Sequence, residues 1–322
     1  MINQKRDKVR ATGSTRRQAD PRAERVKRGA GRGPAVGVVG LGIMGSSISA
    51  NLARAGIATG GYDIVERRRA DAARHDVEPA ASIAELAGRA PILLTSLPSS
   101  EALLDVAKEL ARKKGLAEVV IETSTLPIAV KEQAQRLLER AGITLLDCPL
   151  SGTGAQARTK DLAVYASGPK AAYSRCIPVF EGFARAHVYL GAFGNGSKMK
   201  YLANLLVAIH NVAAAEAVVL ARKAGMDPML AVQVLGDGAG SSRMLQVRGP
   251  MMAKGDYSDA TMKVSVWEKD MKIIGQFARA LGAPTPLFDT TASIYDAAMQ
   301  GGFAEADTAS VCAVLERLAD NG

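Results

Sequence analysis

The sequence predicts a doubly wound α/β domain with a parallel sheet, followed by an all-α C-terminal domain that a long helix joins to it. Short apolar runs alternate with helical patterns as far as residue 190. Strand signals stop after Gly196, where a long helix near residues 197–224 begins a run of helices that prolines interrupt. Strand–helix alternation indicates a parallel sheet, and helices alone indicate a separate helical layer. We therefore expect an α/β domain at 35–193 and a helical domain at 194–322.

Short apolar runs carry the strand signal in the first domain. They lie at 35–40, in a run that ends at Tyr62-Asp63, and at 91–96, 119–122, 143–147, 162–166 and 187–190. Helical patterns follow near 43–55, 65–75, 99–113, 127–141 and 171–184. A helix between two strands returns the chain in the same direction, so these strands are predicted to lie parallel, with helices on both faces of the sheet.

The net charge of +9 on 322 residues is concentrated at the N-terminus. Residues 1–34 contain eleven basic and three acidic side chains, a net charge of +8, so the rest of the chain is almost neutral. Apolar residues make up 48% and charged residues 23% of the chain, as in an ordinary soluble globular protein. Aromatic residues, at 4%, are too few for a surface that stacks on single-stranded nucleic acid.

Residues 1–34 are rich in Arg, Gly and Ala and poor in large apolar side chains. Such a segment buries too little surface to offset the entropy of ordering it, so we expect a basic disordered tail. One alternative is a nucleic-acid-binding arm, although nucleic acid is not the partner we expect. A mitochondrial presequence is another, but the three acids and the lack of an apolar stripe argue against it. A start codon assigned too far upstream would also explain the segment.

The three cysteines, Cys148, Cys176 and Cys312, are far apart and form no CxxC pair. A metal site is therefore not expected, and the cysteine usage indicates a reducing compartment, so we expect a cytoplasmic location. The longest strongly apolar stretch without a charge, residues 201–215, is shorter than the roughly 18 residues of a membrane span. It predicts a buried helix, and no membrane partner is expected.

Residues 40–45, Gly-Leu-Gly-Ile-Met-Gly, match GxGxxG directly after the first strand and at the start of a helix. This is the context that a dinucleotide-binding loop requires, and it predicts a Rossmann-like domain; a glycine-rich turn without a ligand is the alternative. Gly40 permits a tight turn, Gly42 lets a pyrophosphate approach the backbone, and Gly45 lets the helix pack against the strand. The N–H groups at the helix start then bind the phosphates. The expected cofactor-binding residues of this loop are Gly40, Leu41, Gly42, Ile43, Met44 and Gly45.

Asp63 ends the second strand, 23 residues after Gly40. A carboxylate there accepts hydrogen bonds from ribose hydroxyls and repels a 2′-phosphate, which favours NAD over NADP. Arg67, Arg68 and Arg69 argue the other way because they could reach a phosphate, but such a run is more typical of a solvated helix face. NAD is therefore the expected cofactor.

Together with the glycine loop, several further motifs resemble the β-hydroxyacid dehydrogenase family, which includes 3-hydroxyisobutyrate, tartronate semialdehyde, L-threonate and 6-phosphogluconate dehydrogenases. The resemblance covers about residues 35–320, in the family's order. Thr153 departs from the second glycine of the family's substrate loop, and Ala203 replaces the first asparagine of its Asn pair. The motifs are Ser96-Leu97-Pro98, Ser124-Thr125, the segment Asp147–Gly154, the segment Gly194–Asn204, and Lys269-Asp270.

The resemblance implies further cofactor contacts. Leu97 and Pro98 belong to the segment that lies against the cofactor in this family. Thr125 corresponds to the residue on the nicotinamide side, and Lys269 to a lysine that reaches the active site from the helical domain.

The resemblance also implies the catalytic residues Lys200, Asn204, Ser151 and Gly152. Lys200 corresponds to the catalytic lysine, which takes up the hydroxyl proton as a hydride leaves the carbinol carbon, and Asn204 is its partner one helical turn away. An ordinary lysine has a pKa of about 10.4, so burial or a nearby positive charge such as Lys269 must lower it. Ser151 and Gly152 belong to the loop that grips the substrate carboxylate.

The resulting expectation is an NAD(P)-dependent oxidoreductase that transfers a hydride between NAD and a small hydroxy acid, resembling 3-hydroxyisobutyrate dehydrogenase. By analogy with the family we expect a homodimer or homotetramer. One alternative is a non-catalytic, chromatin-binding relative that uses a basic tail, but this chain retains Lys200 and the glycine loop. Another is an imine reductase, a class with a similar fold that generally lacks the lysine. The motifs do not identify the hydroxy acid.

Overall fold

The computed structural model describes residues 35–112 and 117–320. Residues 1–34, and with them the prediction of a disordered tail, lie outside the described residues. In the described part a parallel α/β unit is followed by helices, which confirms the fold class that the alternation of strand and helix patterns predicts.

A parallel sheet in the order β3-β2-β1-β4-β5-β6 forms the centre of the α/β part. Every residue of β1, β4 and β5 is buried because helices cover both faces, which explains why these strands are nearly continuous apolar runs. The chain order reverses between β1 and β4, and the carboxyl ends of the strands at such a reversal form a crevice that binds ligands. The strands are β1 (Val36–Val39), β2 (Thr59–Tyr62), β3 (Val77–Pro79), β4 (Ile92–Thr95), β5 (Val119–Glu122) and β6 (Thr144–Asp147).

The helices over this sheet are α1 (Ile43–Arg54), α2 (Glu66–Ala73), α3 (Ile83–Arg89), α4 (Ser100–Arg112) and α5 (Ile128–Glu139). Neither β3 nor α3 is predicted by the sequence patterns. In β3 the side chain of Val77 is buried and the other two are exposed, so the strand lacks an apolar run. α3 has seven residues, too few to show a helical period, although Ser82 caps it by accepting a hydrogen bond from the N–H of Glu85.

A second, small sheet lies beside the end of β6 and consists of β7 (Leu150–Ser151), β8 (Ala163–Ala166) and β9 (Ala186–Tyr189). β7 pairs antiparallel with β8, and β8 pairs parallel with β9. The prediction that the runs at 162–166 and 187–190 continue the parallel sheet is therefore wrong. The chain between β7 and β8 contains only the short helix α6 (Gly154–Arg158), which is not a crossover helix, so β8 returns antiparallel to β7. The helix α7 (Lys170–Phe183) does cross over, and β9 lies parallel to β8.

The chain after β9 is helical. The central helix is α8, which has 29 residues, contacts every later helix, and also contacts β6, β7 and β8. By length and composition alone α8 would also qualify as a membrane-spanning helix. Its contacts with the later helices bury part of its apolar surface, while Leu202 and Leu206 stay about half exposed. The helices are α8 (Asn195–Lys223), α9 (Pro228–Asp237), α10 (Arg243–Lys254), α11 (Val264–Ala280), α12 (Pro286–Gln300) and α13 (Val311–Asp320).

Candidate active site

The glycine loop connects β1 to α1 and forms a tight turn. The N–H of Gly40 donates to the carbonyl oxygen of Tyr62 at 2.8 Å, and Gly40 has φ +90°, a conformation that favours glycine. A Cβ on Gly40 would overlap the carbonyl oxygen of Ser96, and one on Gly45 would overlap that of Gly40. These two glycines therefore let the start of α1 pack directly on the ends of β1 and β4.

Gly42 faces open space, since an added Cβ would meet no atom within 4 Å. Gly42 immediately precedes α1, and within the described residues the first turn of this helix has no side-chain cap and no acid. The N–H groups of that turn and the positive end of the helix dipole are therefore available to an anion. Ile43 is exposed and Met44 half-buried at the same opening. This cradle fits a pyrophosphate.

The Asp63 carboxylate lies at the end of β2 and is buried beside the glycine loop. Its Oδ2 accepts the N–H of Leu41 at 2.8 Å, and its Oδ1 accepts the N–H of Val65 at 2.8 Å. Arg68 Nη1 lies 3.4 Å from Oδ2, while Arg69 donates to the Asp63 carbonyl oxygen. The carboxylate therefore has a fixed orientation, with the Arg68 guanidinium at its edge and that of Arg69 at the backbone carbonyl of the same residue.

The loops after β4 and β5 meet next to the glycine loop. The N–H of Leu97 donates to Ser124 Oγ at 2.8 Å, which ties the two loops together. The carbonyl oxygen of Thr125 accepts a hydrogen bond from Lys269 Nζ at 2.9 Å. Pro98 and Lys269 line one cleft between the α/β part and α11. Four predicted cofactor residues from distant segments are thus brought together.

Lys200 and Asn204 lie one turn apart on α8, so their side chains share a face. Asn204 is buried, and its Nδ2 donates to Asp270 Oδ2 at 2.9 Å. Lys269 Nζ lies 3.6 Å from Asp270 Oδ1. The helices α8 and α11 therefore place two ammonium groups, one carboxylate and one amide next to the loop that contains Thr125.

The environment of Lys200 changes its proton affinity. Lys200 is half-buried, and desolvation by the surrounding protein lowers its pKa; the Asp270 carboxylate opposes this effect, and the Lys269 ammonium adds to it. This direction is the one that a role as general acid/base requires. Burial also raises the pKa of Asp270, against the opposing effects of Lys269, Lys200 and Asn204. A lysine with a lowered pKa can exchange a proton with a substrate hydroxyl under mild conditions.

The predicted substrate loop follows β7. Gly152 has φ +132°, and a Cβ there would approach the Leu162 side chain to 2.6 Å, so this position requires glycine. The contact between α8 and β7, the strand that ends at Ser151, brings the loop beside the start of α8. Thr153, which replaces a glycine of the family pattern, forms a capping box with Gln156 at the start of α6. The departure from the pattern therefore supplies a helix cap.

A buried ion triad next to the site escaped the sequence analysis. Lys131 Nζ lies 2.6 Å from Glu122 Oε2 and 2.8 Å from Asp147 Oδ1, and all three side chains are fully buried. Asp147 Oδ2 also accepts the N–H of Ser197, in the first turn of α8, at 2.7 Å. The sequence contains one sign of this triad: Lys131 lies three residues before Ala134, on the apolar face of α5.

Other polar candidates are engaged elsewhere. Lys198 is exposed and donates to Asn195 Oδ1 at 3.2 Å, away from the cluster around Lys200. His187 Nδ1 is hydrogen-bonded to the Tyr173 hydroxyl at 2.7 Å. Within the described part of the chain, no group of three or more His, Cys, Asp or Glu side chains could hold a metal ion.

Two family models match the chain in succession. Residues 35–191 match the NAD-binding domain of 6-phosphogluconate dehydrogenase, and residues 194–315 match the NAD-binding domain of NADP-dependent 3-hydroxyisobutyrate dehydrogenase.

Individual proteins match over nearly the whole described chain. L-threonate dehydrogenase from Cupriavidus necator is 34% identical over 287 residues, which cover 87% of this chain and 95% of the relative. 2-Hydroxy-3-oxopropionate reductase from Escherichia coli is 30% identical and covers 89% of this chain and 98% of the relative. The structure of Mycobacterium tuberculosis 3-hydroxyisobutyrate dehydrogenase with L-serine superposes with a TM-score of 0.79 at 28% identity, covering 88% of this chain and 99% of that one.

Proposed function

Because the chain belongs to the β-hydroxyacid dehydrogenase family of NAD(P)-dependent oxidoreductases, we propose that it oxidises a small hydroxy acid with NAD, or reduces the corresponding oxo acid, with Lys200 as general acid/base. The observation that carries the proposal is the convergence of Lys200, Asn204, Asp270 and Lys269 beside the loop of Thr125. In this cluster Lys200 has a lowered pKa, and Asp270 orients the amide of Asn204, one helical turn from Lys200.

We assign the dinucleotide to the crevice at the ends of β1, β2, β4 and β5. Gly42 and the uncapped start of α1 would bind the pyrophosphate, and Leu97, Pro98, Thr125 and Lys269 would flank the nicotinamide side, where the bound cofactor accepts or donates the hydride.

NAD is favoured over NADP by the environment of Asp63. Its buried carboxylate is held by two backbone N–H groups and would repel a 2′-phosphate. Arg68 is already paired with this carboxylate, which reduces its availability to a phosphate.

Lys200 would take the hydroxyl proton of the substrate as the carbon–hydrogen bond breaks, and would return it in the reverse reaction. Asn204 is fixed by Asp270, so its amide would orient the substrate hydroxyl relative to Lys200. The Ser151 hydroxyl and the backbone N–H groups around Gly152 would bind the substrate carboxylate.

The relatives indicate the class of substrate. L-threonate, 2-hydroxy-3-oxopropionate and 3-hydroxyisobutyrate, named for three of them, are short acids whose hydroxyl or oxo group lies within two carbons of the carboxylate. We propose a substrate of this type. We also propose a cytoplasmic homodimer or homotetramer, supported by buried free cysteines and by Leu202 and Leu206, which α8 leaves about half exposed.

A panel of short hydroxy acids, assayed with NAD and NADP at mildly alkaline pH by the absorbance of the reduced nicotinamide, tests the proposal. Turnover of at least one acid with a preference for NAD is the expected result. Turnover only with NADP would overturn the cofactor assignment, and no turnover with any acid would overturn the proposed activity.

A further inference from the structure

We infer that Lys131 is a positioning residue. Through Glu122 and Asp147, the two carboxylates that it bridges, it fixes the start of α8 relative to the loop after β5 that contains Ser124 and Thr125, the cofactor-side loop. This inference rests on the proposed function. Lys131 lies on α5, away from Lys200 in the sequence, and is fully buried. Among fully buried side chains it is one of the largest, and it carries a charge, which a protein interior tolerates only with close partners.

The partners of Lys131 end two neighbouring strands. Glu122 is the last residue of β5, Asp147 is the last residue of β6, and the two residues are paired in register. Two carboxylates on adjacent strand ends repel each other, and the ammonium group, at 2.6 Å and 2.8 Å from them, neutralises this repulsion. Lys131 therefore gives both carboxylates an ion-pair partner, and their other lone pairs accept further hydrogen bonds.

Two further bonds of the Asp147 carboxylate hold the start of α8, while Ser167 Oγ also donates to its Oδ2 at 3.2 Å. Asp147 Oδ2 accepts the N–H of Ser197 at 2.7 Å, and its Oδ1 accepts the Ser197 hydroxyl at 2.8 Å. At Gly196 the helix packs so close to the strand ends that a Cβ would approach the Asp147 carbonyl oxygen to 2.6 Å. Lys200 follows Ser197 by three residues on the same helix. A shift of this first turn would therefore move Lys200 with it.

The remaining bond of Glu122 holds the cofactor-side loop. Its Oε1 accepts the N–H of Ser124 at 2.9 Å, and Ser124 Oγ accepts the N–H of Leu97. The same loop is bonded to α8, since the Tyr201 hydroxyl donates to the carbonyl oxygen of Leu126. One buried ammonium group thus links the start of α8, which carries Lys200, to the cofactor-side loop. A hydride would pass between a substrate beside Lys200 and a cofactor beside that loop, and its transfer depends steeply on the distance between them.

Two variants test this inference. Lys131→Met removes the cation, whereas Ser197→Ala removes one bond between Asp147 and α8 and leaves the triad intact. For Lys131→Met we expect kcat to fall roughly 10- to 100-fold with little change in KM, because misplacement by about an ångström costs rate rather than affinity. Ser197→Ala should give a smaller fall of the same kind.

The second readout is the pKa of Lys200, measured from the pH dependence of its labelling by an amine reagent and peptide mass spectrometry. The charged groups that act on Lys200 are Asp270 and Lys269 of α11, and burial lowers its pKa. Displacement of α8 rehydrates the ammonium, so the labelling pKa should rise toward the ordinary value in both variants. This readout needs no turnover, so it separates failure of the positioning role from failure of the proposed function.

The matched controls lie in the helical part, away from the triad: Arg248→Met for the buried lysine, and Ser310→Ala for Ser197, since both serines are buried. Ser310→Ala should leave kcat and the Lys200 labelling pKa unchanged. Arg248 is a buried cation paired with Asp307 at 2.9 Å, so its loss should reduce stability while leaving the Lys200 labelling pKa unchanged. Wild-type kcat and labelling pKa in folded Lys131→Met, or in Ser197→Ala if Lys131→Met does not fold, would overturn the inference. If Arg248→Met changed the labelling pKa of Lys200 as much as Lys131→Met does, the inference would also be overturned, because the labelling pKa would then follow the stability of the protein alone.

Discussion

Asp270→Asn is expected to lower the pKa of Lys200 and to move the pH profile of turnover toward lower pH. In the unmodified protein the Asp270 carboxylate raises the pKa of Lys200, against the effects of burial and Lys269. The substitution removes this opposition. The amide oxygen of an asparagine can still accept the hydrogen bond that Asn204 donates at 2.9 Å, so the geometry of the site is retained.

The size of the shift follows from the spacing of the two charges. Residues four apart on a helix have Cβ atoms about 5–6 Å apart, which puts the charge of Asp270, bonded to Asn204, roughly 8 Å from that of Lys200. At an effective dielectric constant of about 20, unit charges at that distance interact by about 2 kcal/mol. Because Lys269 shares the carboxylate at 3.6 Å, we expect the pKa of Lys200 to fall by less than this full interaction implies.

The measurement is kcat/KM against pH in both reaction directions. Oxidation needs neutral Lys200, so activity rises as the pH passes its pKa; reduction needs the ammonium form, so activity falls there. The rising limb of the oxidation profile and the falling limb of the reduction profile should therefore both move to lower pH in Asp270→Asn. Asp296→Asn, which removes an exposed carboxylate from α12, should leave both limbs in place. Limbs that stay in place in Asp270→Asn, or that move to higher pH, would refute the reasoning.

Three further outcomes follow from the same structure. Lys200→Ala should reduce kcat about 10²- to 10⁴-fold, the range for loss of a general acid/base, while fluorescence titration shows unchanged NAD affinity; retained turnover would contradict the proposed role. Gly42→Val should fold with an unchanged melting temperature but lose dinucleotide affinity about tenfold or more, because its side chain would occupy the open cradle; Gly45→Ala should instead fail to fold normally, since its Cβ overlaps the Gly40 carbonyl oxygen. Arg248→Met should lower the free energy of unfolding in urea by about 3–5 kcal/mol, because it leaves the buried Asp307 carboxylate without its cation.

Parts of the candidate site were readable from the sequence because their residues are local. The residues 40–45 form one turn whose backbone needs glycine, and Lys200 and Asn204 share a face because they are four apart on one helix. Asp63 was predictable because the end of the second strand lies beside the glycine loop in any sheet of this order.

Other parts depended on which distant segments pack together. Asp270 fixes Asn204 across 66 residues of chain, and the sequence identified Asp270 only as a neighbour of Lys269. Lys131 was not recognised because a lysine in an amphipathic helix is ordinarily solvated, and its burial results from the convergence of β5, β6 and α5. The small sheet was missed because residues 162–166 have the same apolar pattern whether they pair parallel or antiparallel.

The sequence by itself determined the fold class, because hydrophobic periodicity follows from local geometry. It predicted the cofactor loop from the short-range spacing of its glycines, and Lys200 from the resemblance to a family. The tertiary structure alone shows which groups shift the pKa of Lys200 and which buried charges pair with one another. The physical reason is that a pKa depends on desolvation and on charges a few ångströms away. For Lys200 those charges are Asp270 and Lys269, on a helix about seventy residues further along the chain.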